Sequence, residues 1–199
     1  MTRPRFDWTE FAAASHDWPP RPLLLKALQI EGPGQGRTAL DLGTSSGRDA
    51  LALAARGWQV TAIDANPDAI TALRGRIPED LSANLQTLQA DLTTWPLPPA
   101  HLVHAGYTLP FLGDQQDIWH RVCQALPAGG LFVGQFFGPN DDWASESQVT
   151  TLTRSELGHL IKRWHRLHYE EKLFTAPAIE NPDKTWHLFN LILRKPYFS

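Results

Sequence analysis

The sequence predicts an α/β domain built on a doubly wound, mostly parallel sheet, and three observations predict it. Through the first two thirds of the chain, short apolar segments alternate with segments of helical periodicity. A glycine-bearing turn in "ALDLGTSSGRDALALA", residues 39–54, joins an apolar run directly to a helical pattern. The last third ends in two strand-like segments, "RLHYEEKLFT" and "TWHLFNLILRK", with no helix between them, so they pair antiparallel at one edge.

Each element has a local reason. Residues Pro20 to Gln29 place leucines on one helical face, "EGPGQG" stops that helix, and "TALDL" is a short buried strand. Ser46 stands where it can cap the next helix, "GRDALALAARG", which ends at Gly57. "WQVTAID" is the second strand, and "NPDAITALRGR" is a helix with proline in its first turn. "NLQTLQAD" and "HLVHAGY" are strands three and four, separated by the proline-rich "TTWPLPPA". Helix "DQQDIWHRVCQAL" and strand "GGLFVGQFF" follow, then "GPNDDWASES", the helix "TRSELGHLIKRW" and the final strand pair. No repeat or low-complexity tract interrupts the series.

Bulk properties narrow the class. The 199 residues suit a single domain able to bury a core. It divides into a cap or lid region (1–30), a ligand-binding core (38–137) and a C-terminal helix with edge strands (150–199). A formal charge of −3 with scattered basic residues gives no footprint for nucleic acid. The start lacks a signal-peptide run, and no stretch approaches the ~20 apolar residues of a membrane span. Cys123 is the single cysteine, so no internal disulfide forms, which points to a reducing, cytoplasmic setting and to a buried structural thiol rather than a nucleophile. Eight tryptophans and sixteen prolines point to an ordered domain with stiff connectors.

The loop after the first strand of such a sheet is where ligands bind. A dinucleotide fingerprint starting at Gly43 needs glycine at positions that hold Ser45 and Arg48, and Asp41 repels a pyrophosphate. A nicotinamide-dependent oxidoreductase is therefore the less favoured alternative. A ligand with an amino-acid end has the opposite preference: Asp41 neutralises an ammonium while amides at the helix start receive a carboxylate. S-adenosylmethionine has that end. Asp64, about 20 residues beyond Gly43, has the spacing of a ribose-binding carboxylate. Asp91 is placed to accept from an adenine amino group, with Leu92 covering the ring.

"ALDLGTSSGRDALALAARGWQVTAIDANPDAI", "QADLTTWPL", "HLVHAGYTLPFL" and "LPAGGLFVGQFFG" resemble the successive motifs of class I S-adenosylmethionine-dependent methyltransferases, in the small bacterial branch similar to the tellurite-resistance methyltransferases. The resemblance implies a Rossmann-like sheet of seven strands with an antiparallel last strand. It implies S-adenosylmethionine as cofactor and S-adenosylhomocysteine as product, held by Asp41, Gly43, Thr44, Ser45, Gly47, Arg48, Asp64, Ala65, Asp91, Leu92, Gly106 and Tyr107. The family pattern D-x-G-x-G-x-G is broken once, at Ser45. That departure motivates the second reading, a catalytically silent binding or regulatory module. His101 replaces the strand-four aspartate common in the family, at the strand's start.

Methyl transfer needs mainly alignment, and a base only where the acceptor must lose a proton. Gly106 and Tyr107, just past strand four, are expected to face the transferring methyl. Trp143 can stack on an acceptor, and His187 or Glu171 can act as base or position it; the alternative is edge-strand polar groups and a packed indole. "DWPPRPLLL" can close as a lid with Arg21 near the cofactor carboxylate, or leave Arg21 solvated. "HLVH" and "HRLH" are read as no metal site, because a spacing of three on a strand sends the side chains to opposite faces. "PNDD" reads as a solvated loop or a weak cation site. The acceptor is expected to be a small molecule, and the protein a monomer or a homodimer formed through the last strands.

Overall fold

The computed structural model describes residues 6–179 and 181–197. Residues 1–5 of the cap region, and 180, 198 and 199 of the C-terminal region, lie outside the described residues. The elements run α1 (Trp8–Ala14), α2 (Pro22–Glu31), β1 (Thr38–Leu42), α3 (Arg48–Ala54), β2 (Gln59–Asp64), α4 (Pro67–Arg74), β3 (Leu85–Gln89), β4 (Leu102–Ala105), α5 (Gln115–Ala125), β5 (Leu131–Phe137), α6 (Arg154–Leu160), β6 (His165–Thr175) and β7 (Thr185–Arg194).

The seven strands form one sheet in the order β3-β2-β1-β4-β5-β7-β6. The first five are mutually parallel, and β7 runs antiparallel to both neighbours, Phe137 facing Leu188 on one side and Glu171 facing Phe189 on the other. The chain order reverses between β1 and β4, so their carboxyl ends open a crevice at the switch point.

Burial explains the strand types. Every residue of β5, "LFVGQFF", is buried, as a central strand covered on both faces requires, whereas β6 carries exposed and half-buried charges along the sheet edge. One layer of core packs Leu24, Leu28, Leu53, Leu73 and Trp58 from α2, α3, α4 and their connections. The opposite layer packs Trp119, Val122, Leu157, Phe132 and Phe136 under α5 and α6. Helices on both faces make the sheet doubly wound.

The caps follow the expected chemistry with one correction. Asn66 caps α4 ahead of Pro67, Asp114 caps α5, and Thr153 and Glu156 form a reciprocal capping box on α6. The residue capping α3 is Gly47 in the left-handed region, not Ser46, so α3 starts without a side-chain cap. A second correction concerns "HRLH". A bulge between Arg166 and His168 places His165 opposite Arg194 and His168 opposite Ile192, so the extra residue brings the two histidines back to one face. His168 is occupied there by Lys26, its Nδ1 2.9 Å from the ammonium. Cys123 is half-buried and burial pushes its thiol up. No helix among the described residues is long and apolar enough to cross a membrane.

Candidate active site

A cavity of about 910 Å³ opens over the carboxyl ends of β1 to β4. Its inner wall is the turn after β1, in which Gly43, Ser45 and Gly47 all have positive φ, at 69°, 50° and 77°. Alternate left-handed residues fold the turn tightly, and glycine adopts that conformation without strain whereas Ser45 does not. The turn hangs from β2: the amides of Gly43 and Thr44 both donate to the Ile63 carbonyl, at 2.8 and 2.9 Å.

Asp64, at the tip of β2, ties the turn to the next loop. Its Oδ2 accepts from the Ser45 amide at 2.8 Å and its Oδ1 from the Asn66 amide at 2.9 Å. Burial raises the Asp64 carboxyl above the ordinary range despite those bonds. The Ala65 amide also donates to this carboxylate. Asp91, past the tip of β3, is held low by hydrogen bonds from the Thr93 hydroxyl and amide. Leu92 beside it is buried, and Ala65 adjoins Asp64 on the same wall.

Three of the expected cofactor residues stand behind this wall rather than in it. Asp41 is 2% exposed, and its two oxygens are taken by the Thr44 hydroxyl at 2.6 Å and His104 Nδ1 at 2.7 Å. It therefore braces the turn from below and does not line the cavity. Thr44 faces Asp41, and Gly47 packs on α4, where a Cβ would meet Leu73 Cδ1 at 2.2 Å. His104 belongs to the same buried group, and its Nε2 has no protein hydrogen-bond partner. Sequence spacing could not reveal that His104 on β4 lies directly across from Asp41 on β1.

Arg21 is not solvated. Its backbone amide donates to Asp49 Oδ1 at 2.8 Å, its guanidinium is ion-paired with the same carboxylate, and the side chain is buried. Burial alone would push Asp49 up, but His104, Arg21 and the Arg21 hydrogen bonds hold it below the usual carboxylate range. The guanidinium lies over Gly106, where a Cβ would come within 2.8 Å of Nε, and 5.6 Å from the Tyr107 ring. Glycine at 106 is thus what allows the arginine to lie across the mouth of β4. Arg48 stacks on Trp18 at 5.2 Å and donates to the Pro19 carbonyl at 3.2 Å. Burial lowers its pKa, and the neighbouring Arg21 charge lowers it further. Arg21, Arg48, Gly106 and Tyr107 all line the cavity.

The outer wall is aromatic and comes from both ends of the chain. Phe6, Trp8, Phe11 and Trp18 descend from the N-terminal segment and α1, and Phe111, Trp143 and Trp186 rise from the loops after β4 and β5 and from β7. Trp143 packs edge-on against Phe6 at 4.9 Å and against Trp186 at 5.1 Å, so the two ends meet across it. Behind these indoles the buried Lys184 ammonium pairs with Asp141 and lies 4.0 Å from the Trp186 ring.

His187 and Glu171 are elsewhere. Successive residues of a strand face opposite ways, so with Trp186 lining the cavity, His187 points to the other face. There its Nδ1 accepts from the Asn140 amide at 3.2 Å and its Nε2 meets Glu171 Oε1 at 3.1 Å. Glu171 is further bound by Arg154 at 2.7 Å. Neither lines the cavity, which removes them as acceptor-side bases. In "TWHLF" Trp186, not His187, lines the cavity, and the parity of a strand of unknown register carries no signal for it.

Sheet order, reversed final strand and a ligand crevice at the strand tips define the class I methyltransferase fold. Residues 39–130, a little under half of the chain, are similar to the family described as Methyltransferase domain. Among solved structures it is similar to TehB from Haemophilus influenzae, with a TM-score of 0.78 and 21% identity over 93% of this chain and 65% of that one. The N-methyltransferase NodS from Bradyrhizobium japonicum WM9 superposes with a TM-score of 0.67 and 16% identity, covering 87% of this chain and 92% of that one. Among curated proteins, trans-aconitate 2-methyltransferase of Rhizobium leguminosarum bv. trifolii is 30% identical over 102 residues, which are 50% of this chain but only 38% of the relative.

Proposed function

We propose that the protein is an S-adenosylmethionine-dependent methyltransferase acting on a small-molecule acceptor. The observation that carries the reading is the placement of Asp64 and Asp91 at neighbouring strand tips, on one wall with the left-handed turn and opposite a separate aromatic wall. The residues present fit the cofactor. Asp64 stands on the cavity wall as a carboxylate able to accept from ribose hydroxyls, Leu92 offers an apolar face to an adenine ring, and the buried Ser45 Oγ lacks a protein partner and sits on the cavity wall. Arg21 and Arg48 stand where the carboxylate of the amino-acid end is received.

When bound, the cofactor supplies a methyl group already activated on a sulfonium. The protein's part is alignment and exclusion of water: Tyr107 and Gly106 close the inner side, and the aromatic wall holds the acceptor against it. Trans-aconitate, named in the curated relatives, is one acceptor to assay.

Calorimetric titration with S-adenosylmethionine, S-adenosylhomocysteine and NAD tests the reading. Both sulfur ligands are expected to bind and NAD not to. Asp64→Ala removes a charged acceptor and is expected to cost about 3 kcal/mol, roughly a hundredfold in affinity. NAD binding in place of the sulfur ligands would return the oxidoreductase reading. The second reading, binding without turnover, rests on the strained Ser45, and is distinguished by S-adenosylhomocysteine binding with no methyl transfer to any acceptor.

A further inference from the structure

Two apolar strands each carry one polar residue that packing alone does not call for. In β5, "LFVGQFF", every residue is buried, yet the fifth is Gln135, 3% exposed. In β7, "TWHLFNLILR", Asn190 interrupts a buried run from His187 to Leu193. The sheet register sets these two opposite each other, and sets Glu170 of the edge strand β6 opposite Asn190. A buried amide is costly unless its hydrogen bonds are met, and the three side chains meet one another in a row.

Chemistry fixes the direction of the row. Glu170 accepts from Asn190 Nδ2 at 3.4 Å, and a hydrogen bond from Lys172 holds its carboxyl below the usual range, so it enters as an obligate acceptor. Asn190 therefore turns its Oδ1 to β5, where it accepts from Gln135 Nε2 at 3.3 Å. Gln135 is left with Oε1 directed away from β7, and that oxygen accepts from the Tyr107 amide at 3.3 Å. A backbone N–H is an obligate donor, so neither side-chain amide turns over without setting like groups against each other.

The row ends on a strained residue. Tyr107 has a φ of 63°, in a region that bulky residues avoid. Its neighbour Thr108 fastens the segment to β1 by donating its hydroxyl to the Leu42 carbonyl at 2.7 Å. Tyr107 lines the cavity, its ring edge-on to Trp186 at 5.7 Å and 5.6 Å from the Arg21 guanidinium. Relaxing this φ moves the ring off both.

We infer that Glu170, Asn190 and Gln135 are positioning residues: a charge at the sheet edge orients two amides across β7 and β5, and the second amide holds Tyr107 in its left-handed conformation. The three do not line the cavity themselves. Their effect on a ligand passes through Tyr107, and that part of the inference rests on the methyltransferase reading above.

The chain has three tyrosines, at 107, 169 and 197, so fluorotyrosine labelling gives a fluorine NMR spectrum of three resonances, with Tyr107→Phe for assignment. Tyr107 is expected to give one sharp line in the native chain. Glu170→Ala, a change at the partly exposed edge, frees both amides to turn and is expected to split or shift that line while the Tyr197 line stays. Adding Asn190→Asp places an obligate acceptor beside Gln135 and is expected to restore the native Tyr107 line, which repair of packing or of the Lys172 pair would not explain. A Tyr107 line unmoved by Glu170→Ala, or not restored in the double variant, overturns the inference. Calorimetric titration is expected to show S-adenosylhomocysteine bound about threefold more weakly by Glu170→Ala and recovered in the double variant. Equal affinity in all three proteins overturns the link from the edge to the ligand. Failure of the native chain to bind S-adenosylhomocysteine sinks the methyltransferase reading, and the fluorine spectra still decide the positioning of Tyr107.

Discussion

The two halves of the cavity are built on different principles. The inner half is made by main chain: a left-handed turn, amides hung on a neighbouring strand's carbonyl, and carboxylates fixed at strand tips by backbone donors. The outer half is made by side chains, with aromatic rings from residues 6–18 meeting rings from the loops and β7 across Trp143. The difference teaches that one half is set by topology, which constrains a few positions tightly, and the other by packing, in which many residues serve equally well. On the proposed reading, the constant chemistry of the cofactor falls to the first half and the variable chemistry of the acceptor to the second.

The joint between the halves is the Arg21–Asp49 pair, and breaking it carries the largest expected effect. Arg21→Met takes from the buried Asp49 carboxylate its paired guanidinium, leaving it only the influence of His104 and of Arg48 at 4.0 Å, and is expected to destabilise the fold by about 3 kcal/mol, read as a lowered denaturation midpoint in urea. The pH dependence gives a sharper form of the test. Asp49 is depressed in the folded state, so its stabilising contribution is full above the unfolded value of about 3.9 and is lost as pH falls through the folded one. Asp64 is raised, so it burdens the fold above its folded pKa and the burden fades as pH falls from there to the ordinary value. Arg21→Met is expected to shrink the Asp49 limb of the acid profile, leaving the part due to His104, and to leave the Asp64 limb unchanged. An unchanged profile would show that the pair does not join the halves.

A smaller effect is expected inside the first half. Ser45→Gly restores a residue that adopts φ of 50° without strain and deletes a buried hydroxyl with no protein partner. It is expected to stabilise the fold by about 1 kcal/mol and to leave cofactor affinity equal or higher. A loss of affinity would instead show that the Ser45 hydroxyl is a ligand contact. The smallest effect tests the border of the second half. His187→Gln is expected to leave S-adenosylhomocysteine affinity and methyl-transfer rate within about twofold, because the ring faces away from the cavity. A rate falling with the loss of this imidazole would return His187 to the site.

What the sequence disclosed follows the same division. The sheet, the reversed last strand and the positions of Asp64 and Asp91 were legible because strand tips in a doubly wound sheet are fixed by alternation and spacing. Asp41 was legible as a special residue but not in its role: its partner His104 lies on a strand distant in sequence, and only the β1–β4 register shows that the two face each other. Ser46 and Gly47 compete for one cap, and the left-handed turn decides for glycine. The outer wall was mostly illegible. Eight tryptophans announce aromatic surface without saying which face of a strand or helix they take. In "TWHLF" the step from Trp186 to His187 is a step from cavity to far face, and one unknown register inverts the choice.

The insertion of β7 between β5 and β6 has a consequence for biogenesis. Strand β5, buried along its whole length in the finished sheet, is synthesised well before the segment that covers its outer edge. During that interval "LFVGQFF" is an apolar strand with one unpaired edge, the kind of surface on which nascent chains associate. A ribosome-bound chain stopped before β7 is thus the form most exposed to aggregation. The edge is closed only when residues 185–194 pair with it.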